Sequence, residues 1–202
     1  GRHLDRGAVR DLVVRGDPRI LTARQTVWKN DVFIALVIDC SGSMRFGDHM
    51  PKARRFAATI TEACRPLEGI DARIFGFTDR VIYDAGTAKR PAIAALHADD
   101  GNNDAAALQH AAGVALQSGR SAKLAIMISD GLPTECSVDA LCKLVNRLTT
   151  RVGICCAQVA VQPLEEVCFP HYVELTDHDI NISVRRFGGM IANLIRRSVN
   201  RK

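Results

Sequence analysis

Apolar residues follow two patterns along the chain: short uninterrupted runs, and segments in which they recur every three or four positions. The uninterrupted runs are typical of strands that are buried on both faces of a sheet. The predicted strands are Val32–Asp39, Asp71–Thr78, Val81–Asp84, Lys123–Ser129, Ile154–Val161 and Tyr172–Leu175. Only a short turn separates the second of these from the third, which indicates a hairpin at one edge of the sheet.

Helical periodicity marks the segments between the strands. The clearest helix follows Asp48, a suitable N-cap residue, and ends at Arg65-Pro66. The other predicted helices are Ala92–Leu96, where the pattern is weak, Ala105–Gln117, Val138–Thr150 and Ser183–Val199. Because strands and helices alternate, the predicted fold class is α/β: a doubly wound, mainly parallel central sheet that is flanked by helices and has one antiparallel edge strand.

Residues 1–30 are polar and basic and show little periodicity. They predict a basic N-terminal lead-in arm with one short helix, Asp5–Val14, ahead of a single domain at residues 31–202. The one tryptophan, Trp28, is expected to pack this arm onto the domain. Since the chain begins with Gly1 and not with methionine, we expect it to be part of a longer protein.

The composition is that of a folded protein, because 47% of the 202 residues are hydrophobic and 24% are charged. No apolar run approaches the ~20 residues that cross a bilayer, so we expect no contact with a membrane. The net charge of +5 arises from basic residues at the two ends of the chain: Arg2, Arg6, Arg10, Arg15, Arg19, Arg24, Arg185, Arg186, Arg196, Arg197, Arg201 and Lys202. Such termini can attract nucleic acid or an acidic surface, which is an alternative function. Aromatic residues for base stacking are scarce there, which favours a solvated basic surface instead.

The seven cysteines are odd in number, and no two of them form a Cys-x-x-Cys pair. This favours free thiols in a reducing compartment and therefore a cytoplasmic location. A zinc site built from Cys136, Cys142, Cys168 and His171 is an alternative, but their spacing is not that of a known zinc motif.

Side chains with oxygen atoms gather at the ends of two predicted strands and in the loop before the alanine-rich helix. The candidate ligands are Asp39, Ser41, Ser43, Asn102, Asp104 and Asp130. Because the carboxyl ends of parallel strands meet at one edge of a sheet, we expect these side chains to lie close together. Oxygen ligands suit a hard cation, with Mg²⁺ as the first choice and Mn²⁺ or Ca²⁺ as alternatives.

The run Asp39-Cys-Ser-Gly-Ser-Met44, together with Ser129-Asp-Gly-Leu-Pro-Thr134, resembles the metal-ion-dependent adhesion site (MIDAS) of von Willebrand factor A (vWA) domains. The resemblance covers nearly the whole chain and implies a Rossmann-like sheet with a metal at its top edge. In this interpretation the two serine hydroxyls bind the cation directly. The two aspartates accept hydrogen bonds from bound waters and supply negative charge, and one coordination position stays open.

The middle loop departs from the usual family pattern, because Asn102 stands where vWA domains usually have a threonine ligand. The Asn102-x-Asp104 pattern and the lead-in Gly1-Arg-His-Leu-Asp5 resemble the vWA branch of cobalt-chelatase T subunits and nitric-oxide-reductase activation proteins. Members of that branch work with MoxR-type AAA+ ATPases. Asp104 either adds a carboxylate to the metal site or serves as the N-cap of the next helix, and the two roles are not exclusive.

The resemblance implies a non-enzymatic, Mg²⁺-dependent protein–protein interaction domain. Its partner would supply an aspartate or glutamate to the metal, and the chain would be an adaptor in a MoxR-type AAA+ ATPase system. Met44 and Phe46 lie beside the site in sequence and are expected to form an apolar rim, although Phe46 packing under the loop is an equal alternative. His49 is interpreted as a residue at the start of a helix, with a pH-sensitive or metal-binding role as the alternative.

A Mg²⁺-dependent phosphatase with Asp39 as its nucleophile is a weaker alternative. Such an enzyme needs a second aspartate as general acid two positions later, where this chain has Ser41. A serine hydroxyl cannot protonate a leaving group at neutral pH. No glycine-rich phosphate-binding motif follows any predicted strand, which argues against a dinucleotide or P-loop site.

Overall fold

The computed structural model describes residues 2–4, 21–23, 31–131, 133–175, 182–185, 187–189 and 192. The strands are β1 (Arg2–Leu4), β2 (Leu21–Ala23), β3 (Val32–Asp39), β4 (Ile70–Phe77), β5 (Ile82–Thr87), β6 (Arg90–Pro91), β7 (Ala122–Ser129), β8 (Ile154–Ala160) and β9 (His171–Glu174). The α-helices are α1 (His49–Cys64), α2 (Asp104–Gln117) and α3 (Val138–Arg147). The described residues between 182 and 192 are also helical.

Seven strands form one sheet in the order β6-β5-β4-β3-β7-β8-β9. The five strands β4, β3, β7, β8 and β9 pair with their neighbours in parallel. In contrast, β5 is antiparallel to β4 and to the short edge strand β6. This arrangement confirms the predicted α/β fold, with its mainly parallel sheet and antiparallel edge. No helix among the described residues is both long and apolar enough to span a bilayer.

β3 is the central strand, and all of its residues are buried. It pairs with β4 on one side and with β7 on the other. Its side chains alternate between two cores, so that Leu36 and Ile38 pack with α1 on one face. Ala35 and Val37 pack with α2 and α3 on the opposite face. Both faces are covered, which explains the uninterrupted apolar run in the sequence.

The helices bury the faces that their periodicity predicts. α1 places Phe56 and Ile60 in the core, and the ring of Phe56 meets the ring of Phe187 edge to face, with 5.4 Å between their centroids. Phe187 belongs to the C-terminal helical segment, so this aromatic contact holds that segment against α1. α2 packs on the opposite face of the sheet with small residues, including Ala111 and Ala115, which allow a close approach.

Several local predictions differ from the structure. Asp48 occupies the N-cap position of α1, but its side chain makes no capping bond and pairs instead with Lys52 at 2.9 Å. The helix predicted at Val138–Thr150 leaves α-geometry after Arg147 and continues as a turn of π-helix over Leu148–Val152. The weak helix near Ile93 is a single 3₁₀ turn.

The N-terminal arm contains structure that its sequence pattern did not indicate. β1 and β2 pair as a separate antiparallel two-stranded sheet, in which His3 lies opposite Thr22. The predicted helix Asp5–Val14 and the predicted packing of Trp28 lie outside the described residues. The division into an arm and a domain at residue 31 stays a prediction.

A disulfide joins Cys142 in α3 to Cys168 in the segment that leads into β9. The expectation of free thiols is therefore wrong for these two cysteines. The zinc alternative, which uses both of them, is wrong as well, because a disulfide leaves neither sulfur available as a thiolate ligand. The five other cysteines lie in the described part of the chain and are free. Sequence spacing could not reveal the pair, because its sulfur atoms meet only when the segment before β9 folds back onto α3.

Breaking the Cys142–Cys168 disulfide should lower the free energy of unfolding by about 3 kcal/mol, because the unfolded chain would regain the entropy of the closed loop. The two cysteines are separated by 26 residues in sequence. Urea unfolding of the protein with and without dithiothreitol measures the effect. The double variant Cys142→Ser/Cys168→Ser is the control. Its urea midpoint of unfolding should equal that of the reduced protein and should not change when dithiothreitol is added. Equal midpoints for the oxidised and reduced protein would contradict the prediction.

Candidate metal centre

Three loops meet at the carboxyl edge of the central strands and are joined by backbone hydrogen bonds. The Gly42 N–H donates to the Asp100 carbonyl at 2.7 Å, and the Asp99 N–H donates to the Cys40 carbonyl at 2.6 Å. The Glu135 N–H donates to the Asn102 carbonyl at 3.1 Å. The loop after β3, the loop before α2 and the loop after β7 therefore form one connected surface.

Asp39 ends β3 with a fully buried side chain. Its Oδ1 accepts a hydrogen bond from the backbone N–H of Ser41 at 2.8 Å, and its Oδ2 accepts one from Nδ2 of Asn102 at 3.3 Å. Burial raises the pKa of Asp39 to about 6, and the nearby charge of Asp130 acts in the same direction. The hydrogen bonds from Ser41 and Asn102 oppose this shift but do not cancel it.

A chain of hydroxyl groups connects the loop after β3 to the loop after β7. The Oγ atoms of Ser41 and Ser43 are 3.0 Å apart, and the Ser43 hydroxyl donates to Oδ1 of Asp130 at 2.9 Å. Because Ser43 has one hydroxyl hydrogen, which it gives to Asp130, it accepts the hydrogen of Ser41. The structure thus brings together four predicted site residues, which are Asp39, Ser41, Ser43 and Asp130.

His49 extends this cluster. It is the first residue of α1, as predicted, but its Nδ1 also lies 3.2 Å from Oδ2 of Asp130. Asp130 is only 2% exposed, and Nε2 of Gln162 donates to its backbone carbonyl. Sequence reasoning gave Gln162 no role at the site, and it gave His49 one only as the alternative to a residue at the start of a helix.

Asn102 bridges two loops with its side chain. Its Nδ2 faces Asp39, while its carbonyl Oδ1 accepts hydrogen bonds from the backbone N–H of Thr134 at 2.8 Å and from Thr134 Oγ1 at 2.9 Å. The carbonyl oxygen that would serve as a neutral metal ligand is thus engaged with Thr134. Thr134 itself was overlooked as a site residue, although it ends the Ser129-Asp-Gly-Leu-Pro-Thr134 motif.

Asp104 is not the N-cap of α2, and that alternative is wrong. The cap is Asn103, whose Oδ1 accepts a hydrogen bond from the Ala106 N–H at 3.1 Å, and Asp104 is the first residue of the helix itself. The Asp104 side chain is 1% exposed, and neither carboxylate oxygen has a hydrogen-bond partner. Burial raises the pKa of Asp104 to about 7, and the charges of Asp39 and Asp130 add to the shift.

These groups fit a hard divalent cation. The hydrogen-bonded cluster contains the buried carboxylates of Asp39 and Asp130 and two serine hydroxyls, and Asp104 is a further buried carboxylate at the end of the loop before α2. All of these candidate donor atoms are oxygen. A buried carboxylate without a partner is costly, so the oxygens of Asp104 favour a nearby positive charge. Among the described residues, no three acidic, histidine or cysteine side chains can hold a metal by themselves. The hydroxyl groups would therefore have to take part.

Met44 and Phe46, the two residues that were expected to form an apolar rim, differ in their exposure to solvent. Met44 was expected at an apolar rim, but its side chain is fully buried in the core. Phe46 is 71% exposed, which excludes its packing under the loop. Arg45, between them, pairs with Asp99 at 2.8 Å on the surface. Of these two residues, only Phe46 is therefore in a position to offer an apolar contact next to the site.

No protein-family model and no curated protein matches this sequence. Solved structures do match it. A von Willebrand factor type A protein from Catenulispora acidiphila is 17% identical over 87% of this chain and 44% of its own, with a TM-score of 0.58. The manganese-loaded TRAP protein of Plasmodium vivax is 17% identical over 79% of this chain and 72% of its own, with a TM-score of 0.57.

Proximal thread matrix protein 1 of the mussel byssus, with a zinc-occupied MIDAS motif, is 12% identical over 84% of this chain and 46% of its own, with a TM-score of 0.63. The present chain thus spans less than half of the Catenulispora and mussel chains. At these identities the likeness concerns the fold. Together with the sheet order and the flanking helices, it shows that this chain has the Rossmann-like fold of vWA domains.

Proposed function

We propose that this chain is a metal-dependent protein-interaction domain that binds an acidic residue of its partner through a MIDAS-type site. The observation that carries the proposal is the hydroxyl chain from Ser41 through Ser43 to Asp130. It joins the ends of two separate strands, and each of these ends carries a buried carboxylate, Asp39 or Asp130. The structural neighbours with manganese and with an occupied MIDAS support a divalent metal, and Mg²⁺ is our first choice on ligand chemistry.

Each side chain would have a separate task at such a site. Ser41 and Ser43 would provide neutral oxygen ligands, while Asp39 and Asp130 would supply negative charge. A bound divalent cation would supply an electrophilic position that favours a carboxylate oxygen from outside. The exposed ring of Phe46 would give a partner protein an apolar contact next to that position. A carboxylate beside an apolar residue is thus the partner chemistry that fits.

We propose further that the site has no enzymatic role. Ser41 stands where a phosphatase of the kind considered above needs its general acid. Cys40, the nearest sulfur nucleophile in sequence, is fully buried, and burial raises the pKa of its thiol to about 12. Most of the basic residues behind the nucleic-acid alternative lie outside the described residues.

The finer proposal is that the chain is an adaptor of a MoxR-type AAA+ ATPase. Its support is the Asn102-x-Asp104 pattern, which departs from the usual threonine and resembles the branch that works with such ATPases. This role would place the protein in the cytoplasm. Disulfides are rare in that compartment, so the bond between Cys142 and Cys168 does not favour the location.

Removing a predicted ligand should abolish stabilisation by divalent metal. At a Mg²⁺ or Mn²⁺ concentration of about 100 times Kd, the native protein should gain about 2.7 kcal/mol in unfolding free energy. Ser41→Ala and Asp130→Ala should lose this gain, because they remove a ligand and a counter-charge. Urea unfolding in metal and in EDTA provides the measurement.

The control for Asp130→Ala is Asp139→Asn, which removes an exposed carboxylate in α3 that pairs with Lys143 and lies in a different part of the described structure from the site. It should respond to metal like the unchanged protein. A metal response that persists in both Ser41→Ala and Asp130→Ala would reject the MIDAS mechanism.

Binding to a MoxR-type AAA+ ATPase from the same organism should depend on metal and only weakly on salt. Titration of the purified ATPase, followed by biolayer interferometry, should show binding in Mg²⁺ that EDTA removes and Ser41→Ala abolishes. Attachment through the basic termini would show the opposite behaviour, since it would fall steeply with salt and survive EDTA. If the protein bound a different acidic protein in a metal-dependent way but did not bind the ATPase, the proposed interaction domain would still be supported. The adaptor role would be rejected.

A further inference from the structure

We infer that the Cys142–Cys168 disulfide holds Asp130 in position for the proposed cation, so that reduction of the disulfide weakens metal binding. The connection runs through the β8–β9 segment, residues 161–170, which contains both Cys168 and Gln162. Gln162 is the positioning residue, because it contacts Asp130 directly. The inference rests on the proposed function and deepens it, since it adds a redox-sensitive control to the same site.

The end of β8 holds the end of β7 just ahead of Asp130. Within the sheet, Ser129 lies opposite Ala160. The backbone N–H of Val161 donates to the Ser129 carbonyl at 3.0 Å, and Nε2 of Gln158 donates to Ser129 Oγ at 3.1 Å. These bonds fix the place where β7 ends, but they stop one residue before Asp130.

Gln162 extends this support to Asp130 itself. Its Nε2 donates to the backbone carbonyl of Asp130, whereas the carboxylate of Asp130 is bonded by Ser43 and lies beside His49. The contact from Gln162 therefore fixes the backbone from which the carboxylate projects, without occupying a carboxylate oxygen. Gln162 is exposed, so packing does not fix its side chain, and its position depends on the chain that follows it.

The β8–β9 segment has little regular structure of its own. Between Gln162 and Cys168 it forms neither helix nor strand. In its middle, the Leu164 N–H donates to the hydroxyl of Tyr172, which connects the segment to β9, the strand that it leads into. Its connection to α3 consists of the disulfide bond of Cys168 and the burial of Phe169 in the core that α3 shares.

The disulfide closes a loop of covalent and hydrogen bonds that contains Asp130. From Asp130 the chain continues into α3 and so to Cys142, which is bonded to Cys168. The β8–β9 segment returns from Cys168 to Gln162, which donates to the Asp130 carbonyl. A shift of the Asp130 backbone away from Ser43 would therefore have to deform this loop or break the bond from Gln162. Such rigid support of a candidate ligand favours metal binding.

Reduction opens this loop and leaves the fold in place. A dithiol such as dithiothreitol breaks the S–S bond and supplies two electrons and two protons, which gives two thiols and the cyclic disulfide of the reductant. Phe169 is buried against the same core as Leu141 and Val145 of α3, and β9 is paired with β8, so neither element depends on the disulfide alone. The cation would then have to order the freed backbone as it binds. Loss of a group that supports a metal ligand commonly lowers metal affinity by about 10- to 100-fold.

The coupling between disulfide and metal has to be reciprocal. If the disulfide strengthens metal binding tenfold, bound metal makes the disulfide harder to reduce by the same factor. For a two-electron couple, a tenfold change corresponds to about 30 mV. A disulfide that only stabilised the fold would leave the metal affinity of the native protein unchanged, and its reduction potential would not respond to metal.

The test measures both sides of this coupling. Calorimetry with Mn²⁺ should give a Kd that is about tenfold higher, or more, for the reduced protein and for Cys142→Ser/Cys168→Ser than for the oxidised protein. Equilibration in mixtures of reduced and oxidised dithiothreitol, followed by counting of free thiols, gives the reduction potential of the pair. Saturating Mn²⁺ should lower this potential by about 30 mV for each tenfold change in affinity.

Gln162→Met tests the route through Gln162, because it keeps the length of the side chain and removes the donor. The oxidised variant should bind Mn²⁺ as weakly as the reduced protein, and reduction should then change its affinity little, since both changes break the same connection. Gln117→Met is the matched control. It makes the same substitution at an exposed position at the carboxyl end of α2, and it should behave like the unchanged protein.

Equal Mn²⁺ affinity of the oxidised and reduced proteins, or a reduction potential that does not respond to Mn²⁺, would overturn the inference. Unchanged Mn²⁺ binding by oxidised Gln162→Met would overturn it as well, because the connection to Asp130 would be missing. If the oxidised, unchanged protein bound no Mn²⁺, the proposed function would fail together with the inference. Mn²⁺ binding that Ser41→Ala abolishes and reduction does not affect would reject only the role of the disulfide.

Discussion

The burial of negative charge at the end of the central strand is the constraint on which the rest of this structure depends. β3 is covered on both faces, so the residue at its carboxyl end cannot turn into solvent, and Asp39 is fully buried there. A charge in that position needs donors, and the adjoining loops provide them through the Ser41 N–H and the Asn102 amide. The loop before α2 is consequently part of the site and not a simple connection between elements.

The loops that stabilise this edge of the sheet also form the proposed site. The hydrogen bonds that hold Asp39 and Asp130 also bring Ser41, Ser43 and Asn102 into one cluster. The apolar packing of β3 against β4 and β7 supplies a rigid base, so the loops can contain unsatisfied oxygen atoms without unfolding the edge of the sheet. Residues with poor internal compensation are typical of ligand sites, and Asp104 is the clearest example here.

The sequence predicted most of the fold, because buried parallel strands have an unambiguous pattern. Val32–Asp39 coincides with β3, and the predicted strand at Lys123–Ser129 differs from β7 by one residue. Side-chain pairing was harder to predict. The bonds between Asn102 and Thr134, and between His49 and Asp130, join residues far apart in sequence, and their geometry depends on how the loops pack. The cap of α2 was misplaced by one residue because Asn103 and Asp104 are both good caps by type.

The disulfide between Cys142 and Cys168 also affects what happens when the chain is cut by a protease. The ring that it closes runs from Cys142, in the middle of α3, through β8 to Cys168, shortly before β9. A protease that cut a single peptide bond in this ring would nick the protein without releasing a fragment. β9 and the C-terminal helical segment would stay tethered to α3, and so the outer edge of the sheet could reassemble from the two pieces.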